Sequence, residues 1–157
     1  MKIKVFIMDV DGTLTDGKIY MGSDGELFKA FDIKDGYGVH EILPAHGVKT
    51  VIITGRKSKI VETRARELEI DFVYQSVKDK AKLLEEICEK INCSENELAY
   101  IGDDIIDIAP MIHCGSKGCP KNAAKDVVNI CDFVSTKNGG EGAVREYIEW
   151  LVEGGMI

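Results

Sequence analysis

Short, nearly continuous apolar runs alternate along this chain with stretches of helical period. Residues 3–8, 49–53, 72–74, 98–101 and 133–134 read as strands. Each lacks polar alternation, as a central parallel strand covered on both faces should. Between them the period changes. Ile60, Val61, Ala65 and Leu68 share one helical face, as do Leu84, Ile87, Cys88 and Ile91. Val144, Ile148 and Leu151 mark a C-terminal helix whose apolar stripe should dock on a sheet. The alternation predicts an α/β fold, a Rossmann-like parallel sheet flanked by helices. With only three prolines and no Gly/Ser-rich linker or repeat, residues 1–157 read as one domain.

One segment breaks the alternation. Lys18-Ile19-Tyr20-Met21, the turn Gly22-Ser23-Asp24-Gly25 and Glu26-Leu27-Phe28 predict a β-hairpin directly after the first strand, where a helix would otherwise follow.

Composition narrows the function. A net charge of −7 argues against a nucleic-acid partner, which would demand clustered Lys and Arg. No apolar run reaches the length of a membrane span, and the N-terminus does not have the form of a secretory signal. Five cysteines without a CxxC pair point to reduced thiols in a cytoplasm rather than to zinc. His40, His46 and His113 fit no chemical pattern.

Chemistry collects at predicted strand ends. The first strand runs into Asp9-Val10-Asp11-Gly12-Thr13, where a chain leaving the sheet can turn both carboxylates into one crevice. Thr54-Gly55-Arg56 follows the second strand, Lys80 opens a helix near Lys78-Asp79, and Gly102-Asp103-Asp104-Ile105-Ile106-Asp107 follows residues 98–101. Each has an ordinary structural reading alone. Aspartates after strands cap helices, Thr54 could be a turn hydroxyl, Lys80 a solvated first-turn lysine and Arg56 a helix bracket. Together, in an open α/β sheet, they supply a nucleophile, a hydroxyl, an ammonium and further carboxylates to one crevice.

The series DVDGT, ITGR, a single Lys and GDDxxD resembles the haloacid dehalogenase superfamily of phosphotransferases across the whole chain. Asp11-Gly12-Thr13-Leu14-Thr15-Asp16-Gly17, Thr54-Gly55-Arg56-Lys57-Ser58 and Asn138-Gly139-Gly140-Glu141-Gly142-Ala143-Val144-Arg145-Glu146 are similar to the branch of 3-deoxy-D-manno-octulosonate 8-phosphate phosphatases. That branch acts in lipopolysaccharide biosynthesis.

The resemblance implies Asp9 as nucleophile, forming an aspartyl-phosphate. Asp11 would be the general acid and then base, its proton affinity raised by neighbouring anions. Thr54, Gly55, Arg56 and Lys80 would bind substrate, with Thr54 and Lys80 also stabilising the transferring phosphoryl group. Mg²⁺ would be held by the side chains of Asp9 and Asp103 and the main-chain carbonyl of Asp11, with Asp104 and Asp107 behind them holding waters and Lys80.

Three other readings compete. Receiver domains place their phosphorylated Asp after a middle strand, unlike this chain. A non-catalytic module of the kind attached to sugar-nucleotide synthetases would be expected to have lost an essential group, and none is missing here. In nonulosonate 9-phosphatases a Glu tends to follow the Thr-Gly pair, where Arg56 stands here. The small sugar phosphate expected is therefore the eight-carbon acid.

Neither the interval between Asp11 and Thr54 nor that between Thr54 and Lys80 can house a cap domain. The apolar residues Ile19, Tyr20, Met21, Leu27 and Phe28 of the hairpin then suggest packing between subunits. The resemblance implies a homotetramer in which the Gly-rich segment 139–145 reaches a neighbouring site.

Overall fold

The computed structural model describes residues 2–157. In chain order the elements are β1 (Val5–Met8), β2 (Tyr20–Gly22), β3 (Gly25–Phe28) and α1 (Ile33–Tyr37), which continues through a π-helical turn (Gly38–Ile42) into α2 (Leu43–Ala45). Then come β4 (Lys49–Ile53), α3 (Lys59–Glu67), β5 (Phe72–Tyr74), α4 (Lys80–Ile91), β6 (Leu98–Ile101) and α5 (Ile105–Met111). The chain finishes with β7 (Ser116–Cys119), α6 (Lys125–Val128), β8 (Phe133–Val134) and α7 (Ala143–Glu153).

Six strands form one parallel sheet in the order β5-β4-β1-β6-β7-β8, and β2 pairs antiparallel with β3 as a separate ribbon. Period two divides the sheet residues between two cores. Phe6, Met8, Ile52, Ala99 and Ile101 face Val39, Leu43, Val61, Val144, Ile148 and Leu151. Val5, Ile7, Val51, Ile53 and Tyr100 face Leu84, Ile87, Met111 and Val127 on the other side. Helices on both faces explain why the strands read as continuous apolar runs.

The first strand is shorter than the apolar pattern 3–8. The Ile3 N–H donates to the Met156 carbonyl near the chain's other end, whereas Lys4 donates its N–H to the Glu97 carbonyl just before β6 and accepts the Lys49 N–H of β4, so Ile3 leaves the sheet and Lys4 stands at its margin. β7 falls where no strand is read from the sequence. Its Ser-Lys-Gly-Cys composition is poor in β-formers, and Gly118 lies against the Tyr147 ring, where a Cβ would collide with it. Tertiary packing selects the strand, not local preference.

The carboxyl ends of β1, β4 and β6 meet at the middle of the sheet. Connections from β1 lead to β4 on one side, and the chain later returns to β6 on the other. That reversal opens a crevice at the strand ends.

Candidate active site

β1 delivers Asp9 into this crevice. Its N–H donates to the Ile101 carbonyl at 3.1 Å, which fastens the residue to the end of β6. The chain then turns sharply: Thr13, Leu14 and Thr15 N–H groups all point at the Val10 carbonyl. Gly12 sits at φ +90°, and a Cβ there would overlap the Asp103 carboxylate. Glycine thus permits both the turn and the close approach of the second acid.

Lys80 lies at the start of α4, whose cap is Asp79. Its Nζ donates to Asp9 Oδ1 and Asp107 Oδ1, each at 2.8 Å, with all three side chains nearly inaccessible to water. Asp107 Oδ1 also accepts from the Tyr100 hydroxyl at 2.9 Å. Its Oδ2 accepts the N–H groups of Asp103 at 3.1 Å and Asp104 at 3.3 Å. Gly102 has no room for a Cβ against that carboxylate. Asp107 therefore shapes the loop after β6 and anchors the lysine.

Asp103 accepts from Thr13 Oγ1 at 3.3 Å. Carboxylate oxygens of Asp9, Asp103 and Asp107 lie within 4.8 Å of one another. Burial and the Asp107 charge push Asp9 up to about 6, although Lys80 pulls the other way. Burial and the facing Asp9 and Asp107 push Asp103 up to about 8. Burial opposes the Lys80 charge, but Asp9 and Asp107 outweigh it and hold the ammonium above its ordinary value.

The donor set fits a hard divalent cation. With all three carboxylates ionised, the one ammonium would leave two negative charges uncompensated in a buried space, which is why Asp9 and Asp103 hold their protons more tightly than usual. Oxygen-only ligation suits Mg²⁺ rather than zinc. Asp107 has both oxygens engaged, so Asp9 and Asp103 are the side chains with capacity to face an ion.

A second cluster stands at the mouth. Asp11 Oδ1 accepts from Lys29 Nζ at 2.5 Å, and its Oδ2 lies 3.9 Å from Arg56 Nη1. The neighbours of Asp11 are thus cations, not the anions expected from the sequence. Glu26 binds the same two cations, at 3.0 Å from Lys29 and 3.5 Å from Arg56, and accepts from Ser58 Oγ at 3.2 Å. Sequence reasoning missed Glu26 and Lys29. Residues three apart on a strand point to opposite faces, but Lys29 lies past the end of β3, where that alternation no longer holds.

Thr54 is buried at the end of β4, its N–H on the Tyr74 carbonyl and its own carbonyl on the Val77 N–H. Gly55 is exposed beside it. Asp104 stands apart from Lys80: its side chain caps α5, accepting the Ile105 N–H at 2.8 Å. The segment 139–145 is seated in its own chain. Gly140 N–H donates to the Thr13 carbonyl at 3.2 Å, and Gly139 packs so closely on the Gly12 carbonyl that a Cβ would collide. Within the chain, its glycines back the Asp9 loop.

Comparison with known proteins agrees with this geometry. A family model of haloacid dehalogenase-like hydrolases matches residues 70–148. The 3-deoxy-D-manno-octulosonate 8-phosphate phosphatase of Escherichia coli K12 is 40% identical over 150 residues, covering 96% of this chain and 79% of that protein. The Moraxella catarrhalis enzyme of the same name, solved with a magnesium ion, a phosphate ion and a KDO molecule, superposes with a TM-score of 0.91 at 39% identity, covering 96% of this chain and 86% of that one. A cobalt-bound Haemophilus influenzae relative gives a TM-score of 0.92 at 31% identity, covering 97% and 88%. The chain belongs to the haloacid dehalogenase-like hydrolases, as an enzyme that hydrolyses phosphoric monoesters. Within them it groups with the 3-deoxy-D-manno-octulosonate 8-phosphate phosphatases.

Proposed function

We propose that this enzyme is a Mg²⁺-dependent phosphatase of 3-deoxy-D-manno-octulosonate 8-phosphate, acting through an aspartyl-phosphate on Asp9. One observation carries the chemistry: a buried Asp9, gripped by Lys80, opposes an Asp103 carboxylate that the enclosed charge balance leaves unneutralised. The substrate rests on the relatives' names and on Arg56 following Thr54-Gly55.

In this reading an Asp9 oxygen attacks phosphorus while the bond to the sugar oxygen breaks, and Asp11 donates a proton to that leaving oxygen. Asp11 then takes a proton from water as the water attacks the phosphorus of the aspartyl-phosphate. Phosphate departs and both acids are restored. Lys80 fixes the Asp9 carboxylate and places positive charge beside the phosphoryl oxygens. Thr54 and Gly55 offer a hydroxyl and an N–H at the end of β4, and Arg56 faces the sugar acid. Asp9, Asp103 and the Asp11 main-chain carbonyl would hold Mg²⁺, which when bound would supply the neutralisation that lets an anionic ester approach an anionic nucleophile. Asp107 and Asp104 act from behind, Asp107 on Lys80 and Asp104 through the start of α5.

The same reading places the enzyme in the cytoplasm, in lipopolysaccharide biosynthesis, as a homotetramer. Among the described residues no helix is long and apolar enough to cross a membrane.

Specificity constants across a panel of sugar phosphates test the substrate. The eight-carbon acid phosphate should exceed simple sugar phosphates at least about tenfold, a gap of roughly 1.4 kcal/mol. A nine-carbon acid phosphate that won instead would move the enzyme to the nonulosonate 9-phosphatases with its chemistry intact.

A further inference from the structure

The ribbon β2–β3 is open to solvent along most of its length, with Met21 63% and Leu27 64% exposed. One of its side chains behaves in the opposite way. Lys29, just past β3, is turned inward until its side chain is 2% exposed. Burying an ammonium is strongly unfavourable unless partners replace its water. Here the partners are Asp11 Oδ1 at 2.5 Å and Glu26 Oε2 at 3.0 Å.

Glu26 is the hub of this arrangement. Besides Lys29 it holds Arg56 at 3.5 Å and takes the Ser58 hydroxyl at 3.2 Å, which ties the ribbon to the loop after β4. Arg56 in turn lies 3.9 Å from Asp11 Oδ2. Four charges of alternating sign close a ring: Asp11, Lys29, Glu26, Arg56.

The ring treats the two oxygens of Asp11 differently. Oδ1 is bound at short range by a buried lysine, whereas Oδ2 meets only the longer contact to Arg56, which is 45% exposed. A carboxyl able to turn about its last torsion would present either oxygen, and orientation is a large part of what a general acid contributes.

We propose that Lys29, held by Glu26, is a positioning residue: it fixes Oδ1 of Asp11 so that Oδ2 is the oxygen that carries the proton to and from the substrate. This rests on the acid–base role given to Asp11 above. The ribbon thereby supplies part of the reaction geometry, in addition to any role in covering the site.

Leaving-group dependence tests it, because a sugar alkoxide needs a proton to depart and 4-nitrophenolate does not. The quantity to compare is kcat/KM for the Mg²⁺-loaded enzyme, which reports the steps up to formation of the aspartyl-phosphate. Lys29→Met should lower it about 10²-fold on the eight-carbon sugar-acid phosphate. On 4-nitrophenyl phosphate the loss should stay within about threefold. Glu26→Gln, which keeps Lys29 in the chain and the shape of its partner, should show the same selectivity with a smaller loss. It also keeps the test available if Lys29→Met does not fold. Equal losses on both substrates in the folded variants, or none on either, would overturn the proposal. Asp11→Asn separates the two levels. If it discriminates between the leaving groups and the Lys29 and Glu26 variants do not, the positioning role falls and the acid survives. If Asp11→Asn itself shows no discrimination, both fall.

Discussion

At the scale of single residues, Asp9 and Asp103 hold the strongest tension in the molecule. Two buried carboxylates converge on one space, one pushed up to about 6 and the other to about 8. A divalent cation bound there stabilises the folded chain by mass action. At one hundredfold excess over its Kd that is about 2.7 kcal/mol, or roughly 5–10 °C in Tm for a chain of this size. Thermal unfolding in a Mg²⁺ titration should show this rise in the wild type and little of it in Asp103→Asn. An equal rise in both would place the ion elsewhere. The acids themselves were legible in the sequence, because each stands one or two residues beyond an apolar run and strand ends converge in this class of sheet. The surroundings of Asp11 were not. Its cations come from a ribbon and a loop remote in sequence, and no spacing rule links Glu26, Lys29 and Arg56. Asp104 looked equivalent to its neighbours in GDDxxD, yet it was also the best cap for α5, and that local use won.

At the scale of elements, helix periodicity and the position of the ribbon after β1 were readable, whereas β7 and the path of segment 139–145 were set by packing. α7 illustrates how such distant dependence works. It opens on Gly142, at φ +102° and with no side chain to cap the helix. The oxygen comes instead from Asp35 on α1, whose Oδ1 accepts the Arg145 N–H at 2.8 Å. Asp35 Oδ2 is buried without a partner. Burial, against the pull of the Arg145 N–H, raises this carboxyl to about 6 from an ordinary 3.8. A raised acid binds its proton more tightly in the folded state, so its contribution is most favourable below the unfolded value. As pH climbs from about 4 to about 6 that contribution is lost, by about 3 kcal/mol. Asp35→Asn cannot titrate. The stability of wild type relative to Asp35→Asn, measured by urea unfolding, should therefore fall across this window. Parallel curves for the two proteins would contradict the assignment. Lys34 and Asp32, the charged groups near Asp35, are common to both and do not enter the comparison.

At the scale of the whole molecule, no cap domain is inserted between the site-bearing elements among the described residues. Only the ribbon, α1 and α2 separate β1 from β4, and only α3 and β5 separate β4 from α4. Ile19, Met21, Leu27 and Phe28 are all more than half exposed on the ribbon, and Ile33 is 81% exposed nearby in sequence. Tyr20 and Phe28 stack on each other at 4.3 Å, a contact too small to bury the rest. A surface of this kind calls for cover, and subunit packing through the ribbon would provide it while bringing neighbouring chain near the crevice. Gly139 and Gly140 of segment 139–145 are seated under their own Asp9 loop. Sedimentation at micromolar concentration should show a tetramer, and Leu27→Asp with Met21→Asp should dissociate it. An active 17.3 kDa monomer would rule out cover from a neighbour.

The proposed chemistry requires a covalent bond between Asp9 and phosphorus. Borohydride added during steady turnover reduces an acyl phosphate to an alcohol, which would convert Asp9 to homoserine. Peptide mass spectrometry should find that conversion at Asp9 alone, dependent on both substrate and Mg²⁺, and absent from Asp9→Asn. Conversion at another aspartate, or an Asp9→Asn protein that is folded, metal-loaded and still turning over at more than a few per cent of the wild-type rate, would contradict it.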